Sequence, residues 1–259
     1  MTQTSCLRLV KRTASRGDGG WLDVWELDIG GTDVEGLDPS ILDAEESRRA
    51  ALYSRAADRL AYESSHLALR HLLGSYLGVA PEGVAYRREP CPCCSLNHGR
   101  PVVDATPVPF HFSLSRSGSA ALIAVAPVPV GVDIEVLPSN TAVEEVSTLL
   151  HPAERAEVVS APPSMRVEVF ARIWTQKEAY RKGLGTGVTD GLAHDYLGAE
   201  GTVSRPQGWT IANVPVARGY VGAVAVQDRE RRRRRVVRSS WQGLFRETTN
   251  RPSIGLRRR

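Results

Sequence analysis

Apolar and polar residues alternate from Trp21 to Asp28 (Trp-Leu-Asp-Val-Trp-Glu-Leu-Asp), which predicts a half-buried strand. Pro39-Ser40 then opens a helical stretch in which Ile41, Leu42 and Leu52 are thinly spaced among charges. From Asp58 to Leu77 the spacing is that of a stronger helix, with Leu60, Leu67, Leu69, Leu72, Leu73, Tyr76 and Leu77 on an apolar face and Gly78 as a stop. Val84-Ala85-Tyr86 predicts a short strand, and the Pro-, Cys-, Gly- and Asn-rich stretch from Cys91 to Pro109 predicts a loop. Strands follow at 110–114, 120–126 and 130–136, the last two parted by a turn at Pro127-Val128-Pro129. Helices are expected near Ala142–Leu150, from Pro152 onward, and from about Met165 to Lys182 with Gly183 ending the last. Trp209–Val214 and Tyr220–Val226 close the pattern as strands.

Ser119–Ala126 echoes Gly219–Val226, and each closes a succession of strand, helices and strand. This predicts an α+β fold of two similar halves joined near Pro127–Pro129: an N-terminal half, 1–128, and a C-terminal half, 129–228. Residues 229–259 are expected to be a disordered Arg-rich tail, because consecutive like charges repel and little apolar area offsets ordering.

Charge sharpens that division. The formal net charge of the 259-residue chain is +4, but from Arg229 onward there are 12 Arg against two Glu, so residues 1–228 are net −6. The basic character belongs to the tail, which argues against a specific nucleic-acid-binding domain. The tail is read as inert, with steering toward acidic partners or nonspecific attraction to nucleic acid as the functional alternatives. No apolar run approaches a membrane span, and the first residues lack the apolar core of a secretory signal, so a cytoplasmic protein is expected.

Two stretches carry candidate chemistry. In Gly131-Val132-Asp133-Ile134-Glu135, both carboxylates leave one face of a strand, which is tolerated where that face meets a cation or water. In Trp174-Thr175-Gln176-Lys177-Glu178-Ala179-Tyr180-Arg181-Lys182, Glu178 and Lys182 are helical neighbours, either as a surface ion pair or as part of a site. The chain has only three lysines, and this helix holds two of them, Lys177 and Lys182. A lysine is a compact point charge suited to a phosphate oxygen. Asp133, Glu135 and Glu178 together would form an oxygen-only set suited to Mg²⁺.

The order Gly-Val-Asp-Ile-Glu, about 40 residues, then Trp-Thr-x-Lys-Glu-Ala-x-x-Lys resembles the 4′-phosphopantetheinyl transferases, of the Sfp type. Gly99-Arg100-Pro101, Phe112–Ser117 and the strand from Gly219 fall in family order. The resemblance implies a pseudo-twofold pair of α+β halves with coenzyme A in the cleft between them. It implies transfer of the 4′-phosphopantetheine arm to a serine of an apo acyl, peptidyl or aryl carrier protein, releasing adenosine 3′,5′-bisphosphate. Fatty acid, polyketide and nonribosomal peptide carriers are all compatible. Carried over residue by residue, Asp133, Glu135 and Glu178 would hold Mg²⁺ or Mn²⁺, and Lys182 would contact a phosphate. Glu178, or a metal-bound water near Glu135, would take the serine proton. Arg100, Ser115 and Arg116 would grip coenzyme A phosphates, with Arg49 and Arg70 toward the ribose 3′-phosphate. Arg116 departs from the family's usual His, which substitutes a permanent charge with more donors. Two fused halves imply a monomer. The alternative is a coenzyme A- or nucleotide-binding module without turnover.

Other features are expected to mean less. Cys91, Cys93, Cys94 and His98 resemble half a zinc site, but a tetrahedral site needs four ligands and the short loop would supply three or four only by straining, so reduced structural thiols are expected. Gly183–Gly187 follows a helix and so is no phosphate-cradling loop. His66, His71, His111, His151 and His194 show no triad pattern and are read as structural or surface residues.

Overall fold

Strand β6 (Ala120–Ala126) is buried along its whole length, and the fold is layered on its two faces. In a computed structural model of the chain, residues 8–15, 20–30, 37–186, 191–199, 206–228 and 246–247 are described. On one face of β6, Ala121, Ile123 and Val125 meet helix α2 (Ala56–Leu77) through Ala68, Leu69, Leu72 and Leu73. On the other, Ala120, Leu122, Ala124 and Ala126 meet Val130, Val132 and Ile134 of β7 (Val130–Val136) and Val224 and Val226 of β9 (Tyr220–Gln227). Each fully buried Leu or Ile stabilises this stack by about 1.5–3 kcal/mol.

β6 is central in a seven-stranded antiparallel sheet of order β10-β1-β2-β6-β5-β4-β3. Its other strands are β1 (Arg8–Ser15), β2 (Trp21–Asp28), β3 (Tyr86–Arg88), β4 (Pro101–Val103), β5 (His111–Ser117) and β10 (Arg246–Glu247). β9 is central in a second, three-stranded sheet of order β7-β9-β8, with β8 at Trp209–Val214. Helices α1 (Ala44–Ala51), α3 (Asn140–Val146), α4 (Pro152–Ser160) and α5 (Arg166–Leu184) complete the order. The layers run α2, large sheet, small sheet, α5, a mixed α+β architecture. The sequence echo falls on the two central strands, although the described sheets are unequal in size.

The differences from expectation have local causes. β1 escapes the alternation rule because Arg12 points inward, paired at 2.9 Å with Glu26 of β2. β4 lies in the stretch expected as loop; its Pro at the first strand position removes no ladder bond that the pairing needs. β3 begins two residues later than expected because Val84 turns into the α2 core. The helix expected near Ala142–Leu150 is split, with α3 ending at Val146 and one 3-10 turn at Ser147–Leu149. Within the tail expected to be disordered, Arg246–Glu247 pairs with the exposed edge of β1; the rest of 229–259 lies outside the described residues.

Helix α5 does not stop at Gly183. It runs to Leu184, and Gly185 ends it in the left-handed conformation, φ +82°. Gly183 is instead a contact point. A methyl group there would lie 2.6 Å from the Trp209 ring, and one on Gly131 would lie 2.0 Å from Ala179 O and 2.4 Å from Gly183 N. The α5 backbone is therefore pressed against β7 at a distance that only glycine permits.

The far side of α5 is fixed by charge. Lys177, 2% exposed, pairs at 2.9 Å with the fully buried Glu154 of α4 and donates to Asp195 O. Glu154 also accepts from His151 N in the α4 capping box and from Leu197 N at 2.8 Å. Of the two lysines on this helix, Lys177 is therefore structural.

Two outcomes follow. Gly131→Ala should destabilise by about 1–3 kcal/mol or more, as overpacking does, read from a urea melt; wild-type stability would contradict the close approach. Lys177→Met should cost about 3–5 kcal/mol, because it leaves Glu154 buried without its cation, and Glu154→Gln in the same background should recover part of the loss.

Candidate active site

The close approach of α5 to β7 sets Glu178 and Lys182 opposite Asp133 and Glu135. The two strand carboxylates leave the face of β7 that carries Gly131, as the alternation predicts. Lys182 does not form the surface pair with Glu178 that its spacing allows. Its Nζ reaches across to β7, donating to Asp133 Oδ1 and to Ser115 Oγ, each at 2.7 Å.

A row of serines on β5 fastens the neighbouring edge. Ser113, Ser115 and Ser117 leave one face of the strand toward β7, which belongs to the other sheet. Ser113 Oγ accepts from Val132 N at 3.1 Å. Ser115 Oγ donates to Asp133 Oδ1 at 2.7 Å. Ser117 Oγ donates to Glu135 Oε2 at 2.7 Å and accepts from Val136 N at 3.1 Å. The hydroxyls thus orient the two carboxylates as well as joining the sheets.

Asp133 is 2% exposed and Glu178 6%. Burial pushes the Asp133 carboxyl up, against the pull of Lys182. Burial, and then the charge of Asp133, pushes Glu135 and Glu178 up as well. Asp133 Oδ2 and Glu178 Oε1 are buried with no hydrogen-bond partner. A buried polar atom without a partner is costly, so the set is built for a positive group. Three ionised carboxylates against one bonded ammonium leave two negative charges, and hard oxygen donors suit Mg²⁺ or Mn²⁺. The residues fit a divalent cation.

A cleft of about 440 Å³ surrounds this row, walled by Tyr53, Tyr62, Arg116 and Trp174. It continues into a chamber of about 620 Å³ carrying Arg49, Arg87, Arg88 and Arg100, with Tyr62, His66, Leu114 and Lys182 lining both. Arg116 donates to Tyr53 Oη at 2.9 Å, and its guanidinium lies 5.4 Å and 5.9 Å from the Tyr53 and Tyr62 ring centroids. Arg100 bridges the cleft wall, with Nε on Glu89 at 2.6 Å and Nη1 on Gly183 O at 2.8 Å. Arg49 is exposed and paired with Glu45 on its own helix.

Arg70 has a different setting from the one expected. It is 2% exposed and lines neither chamber. Nε donates to Glu46 at 2.5 Å, Nη2 to Asp43 at 2.7 Å, and Nη1 to the carbonyls of Val84 and Pro81. All three nitrogens are committed, so Arg70 supports the chamber floor from beneath. Glu46, which also accepts from His66 Nδ1 and Tyr86 Oη, is the hub of that floor.

Sequence reasoning missed Tyr53, Tyr62, Arg88 and the lining role of His66. Tyr62 and His66 are four apart on α2, so their shared face was available as a signal; Tyr53 and Arg88 offered none. The described cluster whose three ligand atoms already lie within 4.8 Å of one another is a separate one, Cys91, Cys94 and His98, beside the outer chamber. No helix among the described residues is long and apolar enough to cross a membrane.

Residues 129–210 match the 4′-phosphopantetheinyl transferase superfamily. That segment runs from β7 through α5 into β8 and carries Asp133, Glu135, Glu178 and Lys182. The chain is also similar to a Synechocystis protein named "Putative 4′-phosphopantetheinyl transferase", 29% identical over 156 residues. The similarity covers 59% of this chain and 61% of that protein, so it spans less than two-thirds of the relative's length. The segment that matches the 4′-phosphopantetheinyl transferase superfamily is the one whose buried carboxylates and Lys182 form the site.

Proposed function

We propose that the protein transfers the 4′-phosphopantetheine arm of coenzyme A to a serine of an apo carrier protein, as the Sfp-type enzymes do. The observation that carries the reading is the buried Asp133–Glu135–Glu178 set with its unpartnered oxygens, at the base of a cleft lined with arginines. Asp133, Glu135 and Glu178 would hold the divalent cation. When bound, the cation draws charge from the phosphate under attack and from the leaving phosphate.

The chain's own groups supply the rest. Lys182 Nζ stands at Asp133 and Ser115, where it can share its remaining proton with a pyrophosphate oxygen. Arg116 is held over Tyr53 and Tyr62, a fixed guanidinium at the inner chamber, and Arg100, Arg88 and Arg49 present cations in the outer one. These groups suit the pyrophosphate and the ribose phosphate of coenzyme A, with Arg70 as a positioning residue behind them. Glu178 is the base. Burial raises its affinity for a proton, and Oε1 is free to accept one from the carrier serine. A serine hydroxyl needs such a base within about 3 Å. The serine oxygen then bonds to the phosphorus of the pantetheine arm, the bond to adenosine 3′,5′-bisphosphate breaks, and Glu178 keeps the proton. Carriers of the fatty acid, polyketide or nonribosomal peptide kind fit this chemistry equally, and a monomer holding the whole cleft suffices.

The decisive assay combines the protein, Mg²⁺, coenzyme A and an apo carrier, and weighs the carrier by mass spectrometry. One added phosphopantetheinyl group is expected, none with EDTA, and recovery on adding Mg²⁺ or Mn²⁺. Coenzyme A bound without any gain in carrier mass would identify a binding module instead. Asp133→Asn should abolish transfer in a protein that melts cooperatively; transfer at the wild-type rate would remove the carboxylate set from the mechanism.

Lys182→Ala should lower kcat by roughly 10²–10³, the scale of losing one charge-stabilising donor. Lys182→Arg should recover only part, because a planar fork does not sit where a point charge sat. A near-normal kcat in the Ala variant would mean that Lys182 serves only to neutralise Asp133.

A further inference from the structure

We propose that the hairpin joining β3 to β4 holds a zinc ion on the Cys91 and Cys94 thiolates and the His98 imidazole. The site stands apart from the carboxylate set and does not rest on the transferase reading. The three ligand atoms lie within 4.8 Å of one another, and Cys94 Sγ and His98 Nε2 are 2.9 Å apart. Tetrahedral zinc with bonds near 2.0–2.3 Å asks for ligand atoms about 3.5–3.8 Å apart. Small side-chain rotations close that gap. The spacing, Cys-x-x-Cys followed by three residues and His, is that of one short metal-binding turn, and two thiolates with an imidazole select zinc among the common divalent ions.

The hairpin has little else to hold its shape. Leu96 is 65% exposed, and Cys93 and Cys94 are exposed. Ser95 adopts φ +61°, a left-handed conformation that is unfavourable for a residue with a side chain. Yet the backbone closes tightly, with Cys91 N on Leu96 O at 2.7 Å, Ser95 N on Cys91 O at 2.8 Å and His98 N on Leu96 O at 2.8 Å. These bonds bring the buried Cys91 and the exposed Cys94 and His98 together on one side of the turn, which is the task a metal cross-link performs in a small loop. The short loop was expected to strain in supplying three or four ligands, yet it already holds three ligand atoms within 4.8 Å of one another. Three suffice, with the exposed side of the cluster leaving the fourth position to water. His98 is followed by Gly99 and Arg100, so the ion would anchor the strand that carries Arg100 to the cleft wall.

The test uses the full chain purified under reducing conditions. One zinc per chain by elemental analysis is expected, as is an intense tetrahedral thiolate spectrum after exchange with Co²⁺. Cys94→Ser and His98→Ala should each lose both signals, while Cys93→Ser keeps them. A chelator should lower the Tm of the wild type and leave that of Cys94→Ser unchanged, which separates loss of metal from loss of folding. A wild-type chain without stoichiometric zinc and with only the weak octahedral Co²⁺ spectrum overturns the proposal. So does a Cys91–Cys94 disulfide in the metal-free chain that reduction and added zinc do not replace, or zinc lost from Cys93→Ser but retained in Cys94→Ser.

Discussion

Everything at the site depends on how near α5 lies to β7. Gly131 and Gly183 remove the side chains that would hold helix and strand apart, and Ala179 O sits where a methyl group on Gly131 would be. At that separation a carboxylate and an ammonium from the helix can share one small volume with two carboxylates from the strand. The approach also excludes water from Asp133 and Glu178, and this is what raises their proton affinity. Packing and electrostatics are therefore one constraint. The same contact that builds the core of the small sheet creates the charge imbalance that the site uses.

Buried like charges are expensive, so the surrounding structure must prevent their escape into other geometries. Three devices do this. The β5 serines hold Asp133 and Glu135 from the sheet side. Lys182 bonds Asp133 from the helix side. Lys177 and Glu154 lock the outer face of α5 to α4 and to the segment 191–199, so the helix is held on its far side from the cleft as well. Neighbouring positions on one helix thus divide the work: Lys177, and Gln176 through its 3.2 Å bonds to Ala199 O and Asn213 Oδ1, serve the scaffold, and Glu178 and Lys182 face the candidate site.

Much of this was legible from the sequence, and the exceptions share a cause. The strands β6, β7, β8 and β9 and the helices α2 and α5 were visible from their apolar runs and stop signals, whereas β2, expected to be half-buried, is buried on both faces, with Asp23 paired to Lys11 and Glu26 to Arg12. β1 was hidden because Arg12 is buried against Glu26, so its charge reads as exposure. β4 was hidden because three residues with a Pro carry no period. Gly183 was misread as a helix end because the signal of a stop and the signal of a close contact are the same residue. At the site, the motif residues that meet at β7 could be found from their types and spacing. Tyr53 could not, since it joins the wall only through the position of Arg116 above it. Arg70 is a cation at a plausible position whose three nitrogens are each bonded within the fold.

Charge is distributed in a way that a net value conceals. The body of the chain is acidic overall, yet Arg49, Arg87, Arg88, Arg100 and Arg116 line one continuous pair of chambers while Asp133, Glu135 and Glu178 stand at the inner end. A cleft with low-dielectric walls concentrates such a field. An anionic ligand drawn in by the arginines would meet like charge at the carboxylates unless a cation lay between them. The run from Arg88 and Arg100 to Asp133 and Glu178 therefore matches the anion and cation together that the proposed function calls for.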